Sequence, residues 1–153
     1  MAGSDYHYVK EIPTRQVLEE VRSQNRGKPR QEYCRYRSTW WVQGYRRTLI
    51  PGAEDDIARA ALLAAQEFGG RVVKVSASEY SLQIEFICPT AVSVHRANVL
   101  LRRATSRAVR AKHPGLGSPT PKEGSGGGYL WRSNTITETI PVLLEQPRKF
   151  ETI

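Results

Sequence analysis

Between residues 54 and 68 apolar positions recur with a helical period. Ile57, Ala61, Ala64, Ala65 and Phe68 fall on one stripe. Glu54, Asp55 and Asp56 put negative charge where the helix dipole favours it, and Gly69-Gly70 supplies a stop, so the pattern predicts a helix over Glu54–Phe68. Capping accounts for those three carboxylates without a metal. The period then changes to two. Arg71–Ala77 and Tyr80–Cys88 read as strands joined by a short polar turn, hence a hairpin. In the second strand Tyr80, Leu82, Ile84, Phe86 and Cys88 share one face, and Ser81, Gln83 and Glu85 share the other.

A second long helix is predicted from Ser93 to Lys112, with Val94, Ala97, Leu101, Ala104, Ala108 and Ala111 on its inner side. Before the first helix, Ser38–Arg47 is rich in β-formers. Its adjacent tryptophans, Trp40 and Trp41, must face opposite ways, one of them into the core. After a Gly-rich loop over 113–128, Tyr129–Thr139 reads as a fourth strand, and Val142–Gln146 as a short helix. Residues 1–38 read as a basic arm in which Pro13-Thr14 opens a short helix reaching Gln24. The order strand, helix, strand, strand, helix, strand over 39–153 predicts an α+β domain. Its expected form is the ferredoxin-like split βαβ layout, an antiparallel sheet with helices on one face.

A length of 153 residues suits one domain with an arm, large enough to fold without staples. No stretch approaches the roughly 18 apolar residues of a membrane span, and the N-terminus has no apolar signal-peptide core, so a soluble cytoplasmic protein is expected. Cys34 and Cys88 cannot build a disulfide scaffold, and spacing alone leaves open whether they pair.

The net charge of +8 is unevenly spread. Residues 1–50 carry a balance of +5, residues 51–92 of −3, and residues 93–132 of +7. Seventeen of the 23 basic residues are arginine, the side chain that forks onto phosphate. Arg96, Arg103, Arg107 and Arg110 fall within a band about 60° wide on the second helix, at 100° per residue. Arg102 flanks the band, and no acid occurs from Thr90 to Lys122 to pair with it. Arg35 and Arg37, interleaved with Tyr33 and Tyr36, and the pair Arg46-Arg47 extend the basic surface. This pattern points to a polyanion, nucleic acid first.

Catalytic signatures are sparse. His7, His95 and His113 lie on different elements, no CxxC or HxH occurs, and the Gly run at 126–128 lacks the Lys-Ser/Thr of a phosphate loop. The residues taken alone describe a nucleic-acid-binding α+β domain.

Three stretches carry a family likeness. Ser93–Pro114 (SVHRANVLLRRATSRAVRAKHP), Trp41–Arg47 (WVQGYRR) and Gly126–Ser133 (GGGYLWRS) occur in the order and spacing of single-tyrosine HUH transposases. The chain resembles those enzymes of bacterial insertion sequences, and their REP-associated relatives, over about residues 39–146. The resemblance implies the same fold, a dimer, and recognition of hairpin or single-stranded DNA ends. It also implies where chemistry would sit: two histidines flanking a hydrophobic residue on the third strand, holding a divalent metal, and a tyrosine on a C-terminal helix. Here Ser81 and Gln83 flank Leu82 at those strand positions, no tyrosine follows Tyr129, and the C-terminal region offers only Phe150.

The leading expectation is therefore a catalytically inactive, repurposed transposase-like protein of the bacterial cytoplasm. It would bind DNA through Arg96, Arg102, Arg103, Arg107 and Arg110, with Arg46, Arg47, Arg35 and Arg37, and hold no metal or cofactor. The alternative is an active DNA-processing or DNA-end-attached protein. That protein would use Mg²⁺ near Gln83 and Glu85, completed by Glu138 or Gln146, with a hydroxyl as nucleophile. A third reading makes the Trp40/Trp41 strand and the arm a docking surface for a partner chain.

Overall fold

Alternation along Tyr33–Trp41 organises the sheet. In the computed structural model, which describes residues 8–28, 31–42, 52–79, 81–113, 131 and 135–140, this segment is one continuous strand. The other elements in chain order are β1 (Tyr8–Glu11), α1 (Thr14–Asn25), β2 itself (Tyr33–Trp41), α2 (Glu54–Glu67), β3 (Arg71–Ala77), β4 (Ser81–Pro89), α3 (Val94–Lys112) and β5 (Ile136–Ile140). The sheet has the order β1-β3-β4-β2-β5 with every neighbouring pair antiparallel. Removing the edge strand β1 leaves the expected ferredoxin-like arrangement, with β4 inserted between β2 and β3.

One face of the sheet carries the main core. Trp40, Val42, Val72, Val75, Leu82, Ile84, Phe86 and Cys88 meet Ile57, Ala61, Ala65 and Phe68 of α2 and Ala97, Leu101 and Val109 of α3. The predicted apolar stripe of α2 is buried throughout. Gly69 adopts φ +84 and closes α2: its N–H donates to the Gln66 carbonyl at 3.1 Å, and that of Gly70 donates to the Ala65 carbonyl at 2.8 Å. Gly70 then runs so close to β4 that a Cβ there would lie 2.2 Å from the Ile87 carbonyl oxygen.

Several boundaries differ from the sequence expectation. The first strand begins at Tyr33 rather than Ser38, so the basic stretch read as arm is sheet. Inward-facing Tyr36, Ser38 and Trp40 alternate with Arg35, Arg37 and Thr39 on the other face, and this alternation pairs the segment with β4 from Tyr33↔Pro89 to Trp41↔Ser81. Trp40 is fully buried with its ring 6.1 Å from that of Trp131, and Trp41 lies half-buried on the opposite face. The fourth strand is centred later than expected, at Ile136–Ile140, with Trp131 forming a single bridge to Val42. In α3, Ala111 is exposed and the buried set includes Arg102, Thr105 and Ser106 instead.

The N-terminal segment is tied to the sheet twice. β1 pairs with β3 from Tyr8↔Ala77 to Glu11↔Lys74. α1 packs against the face opposite α2 and α3, where Val17 meets Val73 and Ile87 beside Ile12, Val21 and Tyr33. Gln24 donates to the Gly69 carbonyl at 3.0 Å, and Arg71 pairs with Glu20 at 3.1 Å. The helices thus occupy both faces, two on one and α1 on the other. The expected helix at Val142–Gln146 and the loop at 114–128 lie outside the described residues.

Candidate nucleic-acid interface

Helix α3 begins where the Ser93 hydroxyl accepts the Arg96 amide at 3.1 Å, satisfying one of the first-turn donors. Its first turn has no acid, and Arg110 and Lys112 in the last turn complement the dipole. Ala97, Leu101, Thr105 and Val109 point at the sheet. At 100° per residue, Arg96, Arg103 and Arg107 point almost directly the other way, and all three are exposed. Among the described residues none of the three side chains enters an ion pair. At 1.5 Å per residue the stripe spans about 16 Å, the axial length of roughly five nucleotides of one DNA strand.

The helix is held over β2 and β5 by a polar relay that sequence reading did not identify. Buried Ser38 donates to the Asn98 Oδ1 at 2.7 Å and lies 3.1 Å from the Thr137 hydroxyl, to which Asn98 donates at 3.1 Å. Two turns on, Thr105 donates to the Leu101 carbonyl at 2.8 Å and accepts the Trp131 indole N–H at 3.2 Å. Beside α3, helix α2 carries Glu54, Asp55, Asp56 and Glu67 against the single Arg59. Asp56 takes Lys112 at 3.3 Å. The helical layer is therefore split, positive on α3 and negative on α2.

Arg102 does not belong to the exposed stripe. It is 7% exposed, donates to the Thr135 hydroxyl, and burial pulls its guanidinium below the ordinary arginine value. The helical wheel carries the signal for this placement, because residue 102 sits between the buried Val109 and Ser106 and far from Arg96. Arg110 is half-buried at the stripe's edge.

Arg35 and Arg37 also lie elsewhere than expected, on the sheet face opposite α2 and α3. Arg35 Nη2 lies 3.0 Å from Glu85 Oε1, and Arg37 Nε lies 3.2 Å from Oε2 of the same carboxylate. Arg37 also reaches Glu138 at 3.5 Å. Register places Glu11, Lys74, Glu85, Arg37 and Glu138 in one row across all five strands, alternating in sign. These arginines are neutralised within the sheet. Arg46, Arg47 and Phe150 lie outside the described residues.

Ser81 and Gln83 share that face with Glu85. The Ser81 hydroxyl lies 2.6 Å from the Ser78 hydroxyl, within the β3–β4 turn. Gln83 donates to the Thr39 hydroxyl at 3.3 Å on the neighbouring strand. A divalent cation wants several free oxygen donors. Here Glu85 already holds two guanidiniums, Glu138 is paired with Arg37, Gln146 lies outside the described residues, and Ser81 and Gln83 supply a neutral hydroxyl and an amide. Those residues do not fit a Mg²⁺ site. The Ser81/Gln83 row and the α3 arginines also face opposite sides of the molecule, separated by the sheet and the helical layer.

Neither a protein-family model nor a curated protein sequence matches the chain. Solved structures do. A candidate transposase from Deinococcus radiodurans superposes with a TM-score of 0.55 at 16% identity, over 82% of this chain and 90% of that one. A REP-associated tyrosine transposase, solved bound to a REP hairpin, superposes with a TM-score of 0.50 at 9% identity, over 80% of this chain and 67% of that one. The chain has the fold of these transposases. Among the described residues no helix is long and apolar enough to cross a membrane.

Proposed function

We propose that this chain is a transposase-fold protein that binds hairpin or single-stranded DNA without cutting it. The observation that carries the reading is the acid-free helix α3, whose Arg96, Arg103 and Arg107 point away from the sheet and meet no described carboxylate. A fixed, solvent-facing row of guanidiniums binds successive phosphates, and its affinity comes largely from released counterions. The acidic face of α2 repels the same backbone, so the DNA is confined to the α3 side. That a protein of this fold binds a REP hairpin supports a structured DNA end as the ligand.

The absence of cutting rests on chemistry. Breaking a phosphodiester needs an electrophile to stabilise developing charge and a nucleophile in line with the leaving group. At the strand positions that the family likeness marks for metal ligands, the Ser81 hydroxyl is spent on Ser78 and the Gln83 amide on Thr39. Among the described residues nothing on that face substitutes for two imidazoles.

Binding to hairpin, single-stranded and duplex DNA across a salt series tests the reading. Three phosphate contacts give a slope of log K against log salt near −2.7 on duplex stems, about a 40-fold loss between roughly 50 and 200 mM. The double variant Arg103→Ala/Arg107→Ala should flatten that slope by about 1.8. No binding at low salt, or an unchanged slope in the variant, refutes the DNA reading. Strand nicking by the wild-type chain with Mg²⁺ or Mn²⁺ refutes the inactive one.

A further inference from the structure

Cys34 and Cys88 stand directly opposite each other on the two central strands, both as free thiols. Alternation puts them on the face that carries α2 and α3, with Cys88 buried and Cys34 partly exposed. The Thr90 amide donates to the Glu32 carbonyl at 3.0 Å, two residues along the same ladder. Cys34 and Cys88 are therefore a hydrogen-bonded pair of the antiparallel ladder, whose Cα atoms lie about 5.5 Å apart. That falls within the roughly 4.4–6.8 Å that a disulfide spans. The Cys88 thiol donates to the Val92 carbonyl at 3.6 Å, in the turn that leads to the Ser93 cap of α3.

We propose that Cys34 and Cys88 form an oxidisable dithiol, a modification site at which hydrogen peroxide links β2 reversibly to β4. The inference stands independently of the DNA reading. Its chemistry balances in two steps. The Cys34 sulfur attacks the peroxide O–O bond and becomes a sulfenic acid, releasing one water. The Cys88 sulfur then attacks the Cys34 sulfur: the S–S bond forms, the S–OH bond breaks, and the Cys88 proton leaves with that hydroxyl as a second water. One peroxide takes up the two electrons that the two thiols lose.

Cys34 reacts first because it is the accessible partner. Burial, then the charge of Cys34, pushes the Cys88 thiol up to about 11, so it stays protonated at neutral pH and serves as the resolving group. Side chains of a hydrogen-bonded pair sit wider apart than those of the alternate pairs, which makes the bond easy to reduce and the modification reversible. Oxidation also removes the thiol proton that Cys88 gives to Val92, so the change reaches the turn that starts the arginine helix.

The test treats the full chain with hydrogen peroxide, blocks remaining thiols with an alkylating agent, and reads intact mass and peptide maps. Expected is an intramolecular species about 2 Da lighter, with neither cysteine alkylated and a Cys34–Cys88 linked peptide, restored to two thiols by dithiothreitol. Cys88→Ala should instead stop at Cys34 species about 16 or 32 Da heavier. The proposal is overturned if the wild-type chain gives only those heavier species, only intermolecular dimers, or no reaction. Because the deciding measurement uses the wild-type chain, it does not depend on the variant folding.

Discussion

Glu85 is a buried carboxylate shared by two guanidiniums, and removing its charge while keeping its shape isolates what it does. Glu85→Gln leaves an amide between two guanidiniums. The side chain is 8% exposed, Arg35 is 12% exposed and Arg37 is 33% exposed. Breaking one partner of a fully buried pair costs about 3–5 kcal/mol. Arg37 is partly solvated and keeps Glu138, so its share stays near that of a surface pair, at most about 1 kcal/mol. Arg35 is nearly enclosed, its Nη2 reaches Glu85 and its buried Nε has no hydrogen-bond partner, so it carries the larger part. The expected loss is about 2–4 kcal/mol, or roughly 5–12 °C in Tm for a chain of this size. Urea unfolding followed by circular dichroism measures it, with an unchanged m-value showing that the native compactness is kept. A double-mutant cycle with Arg35→Gln should return a coupling of about 1 kcal/mol or more. A loss below about 0.5 kcal/mol would refute the structural role assigned to this carboxylate. Mg²⁺ that stabilises the wild-type chain but not Glu85→Gln would restore Glu85 as a metal ligand.

Neighbouring arginines of α3 should separate stability from binding. Arg102→Ala removes a buried, hydrogen-bonded guanidinium and should lower stability by about 1–3 kcal/mol, whereas Arg103→Ala should leave Tm within a degree or two and weaken DNA binding; thermal melts and a titration at fixed salt read the pair. Gly70→Ala drives a methyl into the Ile87 carbonyl, 2.2 Å from the new Cβ, and should cost about 1–3 kcal/mol, read by chemical unfolding. Stability should also fall in alkali. Burial raises the Cys88 thiol from its ordinary value of 9 to about 11, so its contribution is complete below pH 9 and is lost as pH rises through 11. Tyr8 and Tyr36 are likewise raised, mainly by burial, and add to the decline from their ordinary value of 10 upward. Urea midpoints across that range should show a shallower fall in Cys88→Ala, and an identical fall would refute the assignment.

What could be read from the sequence, and what could not, follows from the range of each interaction. Helix α2, the β3–β4 hairpin and α3 are signalled by periodicities within a single segment, and Gly69-Gly70 marks the α2 stop where the chain turns. The start of β2 is hidden because Arg35 and Arg37 look like a basic linker until Glu85, some 50 residues away, is brought beside them. The four residues of β1 carry too little pattern to be seen at all, and pair only because β3 offers an open edge. In α3 the alanine stripe suggested a face rotated from the true one. Thr105 can be buried because it donates to Leu101 and accepts from Trp131, partners that no spacing reveals.

The arginines make the same point for the site. Arg35 and Arg37 are chemically identical to Arg103 and Arg107 and lie in blocks of similar charge, yet only the second pair faces solvent without an acid. Period assigns each residue a face of its own element. Which surface that face meets, and whether a carboxylate waits there, is decided by the sheet order β3-β4-β2, which sets Glu85 beside one pair and leaves the other on the far side of the helical layer. A basic block is therefore a candidate DNA contact only after its acids have been located through space. By that criterion the interface reduces, among the described residues, to the outer face of α3.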